Sequence, residues 1–221
     1  MVEKMLESKL FNGFSSKECN QFIQYAKPKR KALKKDEVLC DEGAVVDSFG
    51  ILLTGKLKGV KYRYDGTLDL IEIYTKYDIL NLETASTPTR VSPIQICAME
   101  VSEILLFDKK IIYDPDLAKS GFHRIQTNII QILANENIKK LYKIDVLYKK
   151  ALRERIMVFL RHMETRLNKN EFHIRMDREQ FSQYLGVNRS ALSHELSNMK
   201  REGIIDFRKD YFKMLKPKYR D

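Results

Sequence analysis

The sequence predicts an α+β protein in three parts: a β-barrel, a long helix, and a pair of short helices followed by a small hairpin. Short apolar runs divided by turn residues fill positions 32–107, a pattern typical of strands. Apolar residues then recur every three or four positions, which indicates a helix. In the last segment, two stretches have apolar residues at helical spacing, and two strand-like runs follow them. We therefore expect units at residues 1–114, 115–145 and 146–221.

The composition is that of a folded chain with excess positive charge. The 221 residues are 43% hydrophobic and 32% charged, with a net charge of +10, which is typical of globular proteins. The sequence has no apolar run long enough to span a membrane and no signal-peptide core near its first residues. Cys19, Cys40 and Cys97 are too few and too scattered for a disulfide framework. These features favour a cytoplasmic protein without a membrane partner.

The β-rich region is a candidate sensor. Leu68–Tyr74 alternates with period two, and Asp65-Gly66 is a strong hairpin signal. Many short strands at near-regular spacing predict a barrel or sandwich, such as a jelly roll. A barrel of this size can enclose one small ligand. Residues 32–107 contain no histidine, which argues against a metal-dependent enzyme; we expect neither enzymatic activity nor a metal site.

The long helix is a candidate dimer interface. A long amphipathic helix between two domains can pair with a second copy of the chain. The alternative is a helix whose apolar residues pack on their own barrel. We expect a homodimer, with contacts from Ile125, Ile129 and Ile132.

Residues 177–203 have the pattern of a helix-turn-helix. Apolar residues lie at helical spacing on both sides of Gly186, which favours a turn, and Asn188 is a suitable N-cap for the second helix. In such a unit the second helix presents its first exposed turn to the DNA major groove. We expect base contacts from Arg189, Ser190, Ser193 and His194.

Most of the positive charge lies in the same part of the chain. Residues 146–221 contain 18 basic and 10 acidic residues, which is +8 of the total +10. A basic domain gains affinity for a polyanion by releasing its counterions. The runs on either side of Arg208-Lys209-Asp210 predict a wing beside the recognition helix. We therefore expect a palindromic double-stranded DNA site, with phosphate contacts from Arg178, Asn188, Lys200 and Arg208.

The order of barrel, long helix and winged helix-turn-helix resembles the cyclic-AMP receptor protein and fumarate–nitrate reduction regulator (Crp/Fnr) family. The resemblance covers essentially the whole chain. It implies a homodimeric transcription regulator with a cyclic-nucleotide-binding-like sensor barrel, and RNA polymerase as a further partner. The residues that carry it are Asp177–Gln180, Tyr184–Ser193, Met199–Ile205, Leu52–Leu57 and Asp65-Gly66.

The chain departs from the family motifs for known effectors. Members that bind cyclic AMP carry a Gly-Glu pair and an Arg-Ser/Thr-Ala motif, whereas this chain has Leu82-Glu83 and Arg90-Val91-Ser92. Iron–sulfur members need four thiolates, which three dispersed cysteines cannot supply. We therefore expect neither cyclic AMP nor an iron–sulfur cluster. An unidentified small organic or anionic effector is expected instead, between barrel and long helix, near Tyr62, Asn81, Glu83, Arg90 and Asn128.

The sequence leaves two functions open. One is a regulator controlled by a small effector, and the other is a DNA-binding protein that works without an effector and keeps a vestigial barrel. Family members often read guanine with an arginine at the position of His194, and histidine cannot form the same bidentate contact. The family's operator sequence is therefore not carried over to this chain.

Overall fold

Eight strands form the framework of the N-terminal part of the computed structural model, which describes residues 5–117 and 119–215. The strands are β1 (Lys29–Leu33), β2 (Val38–Cys40), β3 (Ser48–Thr54), β4 (Leu57–Tyr62), β5 (Leu68–Tyr74), β6 (Ile79–Leu80), β7 (Gln95–Ala98) and β8 (Ser102–Asp108). They form two four-stranded sheets, with the orders β1-β8-β3-β6 and β2-β7-β4-β5. All of these pairings are antiparallel. This double-sheet arrangement agrees with the predicted jelly roll.

The two sheets are joined by a shared apolar core. Its buried side chains come from strands of both sheets, which is why the alternating runs of the sequence fold face to face. At the turn between β3 and β4, Gly55 has φ 89° and lies against Ser102, where a Cβ atom would collide. The buried core residues are Leu33, Leu52, Leu57, Tyr74, Leu80, Ile96, Ala98 and Ile104.

Two helices accompany the sheets. Helix α1 (Ser16–Ala26) begins with a capping box, in which the Ser15 hydroxyl accepts from the Glu18 amide and the Glu18 carboxylate accepts from the Ser15 amide. Helix α2 (Leu82–Ala85) is a single turn that follows β6. Short 3-10 turns at Lys9–Phe11 and Lys109–Tyr113 precede α1 and follow β8.

The long helix α3 (His123–Tyr148) begins eight residues later than the sequence pattern suggested. The delay follows from the turn that ends at Gly121, whose φ of 79° is incompatible with a helix. Ile125, Ile129 and Ile132 are at most 5% exposed and pack in the chain's own core with Phe22 and other residues. This corrects the expected dimer contacts, because these three side chains are already buried within one copy.

The C-terminal part is a second, smaller assembly with its own core. It contains α4 (Leu152–Leu167), β9 (Glu171–His173), α5 (Arg178–Leu185), α6 (Arg189–Arg201), β10 (Ile205–Arg208) and β11 (Tyr211–Met214). The strands form one antiparallel sheet in the order β10-β11-β9. The predicted wing is the β10–β11 hairpin, whereas β9 was missed because three residues give too short a pattern.

The chain divides into two compact units, Met1–Glu136 and Asn137–Asp221, and the division falls within α3. None of the helices in the described ranges is long and apolar enough to cross a membrane.

Candidate nucleic-acid interface

Local hydrogen bonds define the ends of both helices in the helix-turn-helix. Asp177 caps α5 through a capping box with Gln180, in which each side chain accepts from the other residue's amide at 2.8 and 2.9 Å. Gly186 ends α5 with φ 68°. The Asn188 carboxamide oxygen caps α6 by accepting from the Ala191 amide at 2.8 Å. The Gly186 turn and the Asn188 cap therefore have their predicted roles, whereas the Asp177 capping box was not predicted.

Apolar packing fixes the angle between α5 and α6. Phe181 and Leu185 of α5 and Leu192, Leu196 and Met199 of α6 are completely buried in one cluster. Because these five side chains leave no room for rotation about the helix axes, they determine which face of α6 points to solvent.

The exposed face of α6 carries the predicted base-reading side chains. Arg189, Ser190 and His194 are exposed, and Ser193 is half-buried. The same exposed face continues through Ser197 and Arg201, which the sequence analysis did not select. Their positions, three and seven residues after His194, could have identified them once the buried face was known.

His194 has a side-chain partner on its own helix. The Asn198 amide nitrogen lies 3.3 Å from Nδ1 of His194, one helical turn away. When the amide donates to Nδ1, the neutral ring carries its proton on Nε2 and offers a single donor to a base edge. This pairing was not visible in the sequence pattern.

Arg153 of α4 joins the recognition helix to the rest of the unit. Its Nε donates to Glu195 at 2.5 Å, and its two terminal nitrogens donate to the carboxylate of Glu202, both at 2.7 Å. The two carboxylates raise the pKa of the guanidinium, so Arg153 stays charged. The pairing holds the middle and the end of α6 against α4.

The side chains predicted to contact phosphate lie around α6, but they differ in their exposure and in their partners within the protein. Arg208 is exposed in the wing. The Lys200 ammonium pairs with Asp206 at 2.5 Å and thereby lowers the pKa of that carboxyl. Asn188 uses its side-chain oxygen for the cap and for a hydrogen bond from the Ser190 hydroxyl at 2.9 Å.

Arg178 is the most buried of the predicted phosphate contacts. Its guanidinium lies 5.0 Å from the centre of the Phe207 ring and donates to the carbonyl oxygen of Lys209 at 3.2 Å. Burial lowers its pKa, and the nearby positive charge of Arg189 lowers it further. Two cations held close together favour binding of a polyanion, because an anion relieves their repulsion.

The five effector candidates have different surroundings. Tyr62 is exposed at the end of β4, and Asn81 has a left-handed backbone with φ 60° before α2, where Glu83 lies. Arg90 pairs with Asp47. Asn128 is buried and donates to the carbonyl oxygens of Leu10 and Asn12 at 2.8 and 3.0 Å. Asn128 therefore anchors the N-terminal segment, a role that depends on a contact 118 positions away in sequence.

A negative environment surrounds Tyr74 in the N-terminal unit. Burial, followed by the carboxylates of Glu72, Glu83 and Glu136, raises the pKa of its hydroxyl well above the usual range. A phosphate group placed among these carboxylates would be repelled. Among residues 5–117 and 119–215, no group of three histidine, cysteine or carboxylate side chains has a geometry that could hold a metal ion.

Comparison with known proteins covers both units. Residues 154–219 match the model of the Crp-like helix-turn-helix domain, and residues 30–114 match the model of the cyclic nucleotide-binding domain. The fumarate and nitrate reduction regulatory protein of Vibrio cholerae is 22% identical over 203 residues, which span 90% of this chain and 78% of that protein.

Two solved structures have a similar fold. One is FixK2 from Bradyrhizobium japonicum, with a TM-score of 0.64, 21% identity, and coverage of 85% of this chain and 92% of the other. The second is CLP of Xanthomonas campestris, described as a c-di-GMP responsive global regulator. It has a TM-score of 0.67 and 11% identity, and the match covers 92% of this chain and 100% of the other.

Proposed function

The chain belongs to the Crp/Fnr family of transcription regulators, and we propose that it acts as a homodimeric, sequence-specific DNA-binding regulator controlled by a small effector. It has the family's cyclic-nucleotide-binding sensor domain and its helix-turn-helix. We further propose that it works in the cytoplasm with RNA polymerase and has no enzymatic activity, as in a family made of transcription regulators.

The observation that carries the DNA-binding proposal is the exposed face of α6. Arg189, Ser190 and His194 are accessible there, while the opposite face is buried and Arg153 holds the helix in place. Side chains at the start of a recognition helix reach base edges in the major groove. Arg178, Asn188, Lys200 and Arg208 lie at its ends and in the wing, where phosphate contacts are expected.

The homodimer proposal rests on a second apolar face of α3. Six exposed residues follow one another at alternating spacings of four and three, which is the repeat of a two-stranded coiled coil. These side chains are exposed among the residues that the structure describes, and the stripe matches the same stripe on a second copy. We call it the outer stripe; its residues are Ile130, Ala134, Asn137, Leu141, Ile144 and Tyr148.

Control by an effector is supported by the sensor domain and by a relative that is described as c-di-GMP responsive. The carboxylates around Tyr74 argue against a cyclic-AMP phosphate group at that position between the sheets. The alternative is an effector-independent DNA-binding protein. The apolar side chains that fill the space between the two sheets favour that alternative.

Selection of binding sites from random duplex DNA tests the proposal. The wild-type protein should enrich a palindrome, as expected for two symmetry-related recognition helices. Arg189→Ala should lose about 1–3 kcal/mol and relax the preference at one position of each half-site. Arg208→Ala should weaken all sequences alike and reduce the salt slope by about two, one for each subunit of the dimer. We choose Arg208 for this comparison because removal of Lys200 would also break its pair with Asp206.

Failure to enrich any sequence above random DNA would contradict sequence-specific recognition. If Arg189→Ala kept the selected sequence unchanged, a different face of α6 would have to enter the groove.

A further inference from the structure

The N-terminal unit has a positively charged cleft apart from the space between its two sheets. The cleft has a volume of about 790 Å³ and lies between the end of α2 and the turn that follows β8. Its wall contains three cationic side chains and the carboxylate of Asp114, together with an alanine, a threonine, two prolines and a tyrosine. The cations are Arg90, Lys109 and Lys110.

Two of these cations share a single carboxylate. Arg90 donates to Oδ1 of Asp47, and the Lys109 ammonium donates to the same oxygen at 2.7 Å. The side chain of Asp47 is 68% exposed, whereas those of Arg90 and Lys109 are 29% and 27% exposed. The carboxylate therefore lies on the solvent side of two half-buried cations, in the position that an external anion would take.

Backbone hydrogen bonds hold the three residues in this arrangement. The Lys109 amide donates to the Asp47 carbonyl at 3.0 Å, and the Arg90 carbonyl accepts from the Val46 amide at 2.9 Å. The Arg90 amide donates to the Thr87 hydroxyl at 3.0 Å. Arg90 also has φ 56°, a conformation that an arginine adopts only when its surroundings impose it.

The side chains that line the cleft carry an excess of two positive charges, because Arg90, Lys109 and Lys110 face the carboxylate of Asp114. Two further carboxylates lie beside the lining: Asp47 pairs with Arg90 and Lys109, and Asp108 accepts from the Lys110 amide at 2.8 Å. Asp114 is also engaged elsewhere, because its two oxygens accept from the Tyr25 hydroxyl at 2.5 Å and the Asp116 amide at 2.9 Å. An oxyanion could accept hydrogen bonds from several of the N–H groups of Arg90, Lys109 and Lys110 at once.

We propose that this cleft binds a small oxyanion, a phosphate or a carboxylate, beside or in place of the Asp47 carboxylate. The proposal concerns binding by the N-terminal unit and does not depend on DNA recognition by the C-terminal unit. The same cations would suit either anion, so the two are separated by experiment.

Calorimetric titration of the full chain with inorganic phosphate and with succinate, at constant ionic strength set by chloride, tests the site. At least one anion should bind with a dissociation constant of about 1 mM or tighter. Arg90→Gln and Lys109→Gln should each weaken that binding about fivefold, the effect of one charge at roughly 4 Å in water. Asp47→Asn should strengthen it by a similar factor, because the competing internal anion is lost.

Lys61→Gln is the matched control. It removes the same charge from the same unit, but Lys61 pairs with Glu42 on another part of the surface, at 2.9 Å. Its affinity for the anion should equal that of the wild type. The proposal is overturned if neither anion saturates, or if Arg90→Gln and Lys109→Gln bind as the control does. Circular dichroism of each variant establishes that it is folded; if Asp47→Asn is not, the two cation variants decide.

Discussion

The outer stripe of α3 gives the most direct prediction about assembly. Leu141 is 53% exposed and Ile144 is 57% exposed in the single chain, so each keeps about half of its side-chain surface for a partner. Complete burial of such a side chain contributes about 1.5–3 kcal/mol, and the remaining half therefore about 1 kcal/mol. Twofold symmetry places each residue in the interface twice, which gives about 2 kcal/mol per position.

We therefore expect Leu141→Ala to weaken dimerisation about 30-fold, since 1.4 kcal/mol corresponds to a factor of ten. Leu141→Glu should have a larger effect, because it would bury two unpaired carboxylates. Sedimentation velocity over a range of protein concentrations gives the dissociation constant directly. Thermal unfolding of the same samples measures the stability of each variant.

Ile132→Ala is the control on the opposite face of the same helix. Ile132 is 5% exposed in the core of its own unit, so its truncation should cost about 2–5 kcal/mol of unfolding free energy. It should leave the dissociation constant of the folded dimer unchanged. If Leu141→Ala dimerises normally while Ile132→Ala gives folded monomers, the assignment of the two faces is the wrong way round.

Four further predictions concern single residues. Asn137→Leu should strengthen dimerisation and allow larger oligomers in sedimentation, because a polar residue within the outer stripe specifies the register of the paired helices. An unchanged sedimentation profile would mean that Asn137 lies outside the dimer interface. Arg153→Gln should weaken binding to all DNA sequences without changing the selected site, in a fluorescence-anisotropy titration. Asn198→Ala should alter the tautomer of His194, read from nitrogen chemical shifts, and the base preference at one position; neither change would occur if the pair is incidental. Burial raises the pKa of the Cys19 thiol to about 11, so this residue should resist alkylation at pH 8 in the folded protein and react in denaturant, as followed by mass spectrometry.

Local signals predicted the helix-turn-helix well because the relevant contacts are close in sequence. The Gly186 turn and the Asn188 cap, both predicted, involve residues at most four positions apart, and so does the Asp177 capping box, which the sequence analysis did not name. The contacts of Arg153 with Glu195 and Glu202 join residues more than forty positions apart and were not predictable from spacing. The sequence therefore predicted which helix carries the candidate base-reading side chains, but it did not predict the contacts of Arg153 that hold this helix in place.

The long helix illustrates a different limit. Both of its faces carry apolar residues at helical spacing, so periodicity predicts the helix but cannot say which face meets the barrel. Ile125 and Ile132 belong to the face buried in one copy, and Leu141 and Ile144 to the exposed one. Within the unit Met1–Glu136, the two faces of α3 differ only because one of them, around Ile125, packs in the core of that unit. The other face carries the outer stripe. The sequence also suggested Arg90 as a contact for an anionic effector. It gave no indication of Lys109 or Asp47, because the contacts of Asp47 with Arg90 and Lys109 join distant parts of the sequence.

Arg178 tests whether a side chain that lowers the stability of the free protein contributes instead to DNA binding. Burial and the charge of Arg189 both lower the pKa of its guanidinium, which means that the folded state disfavours the charged form. Arg178→Met removes the charge but keeps an apolar side chain beside the Phe207 ring. The melting temperature of the free protein should therefore stay the same or rise, although the hydrogen bond to the Lys209 carbonyl is lost. DNA affinity should fall for every sequence, with a salt slope smaller by about two, one for each subunit of the dimer. A lower melting temperature with an unchanged salt slope would show instead that Arg178 only holds the wing against α5, and its phosphate contact would have to be abandoned.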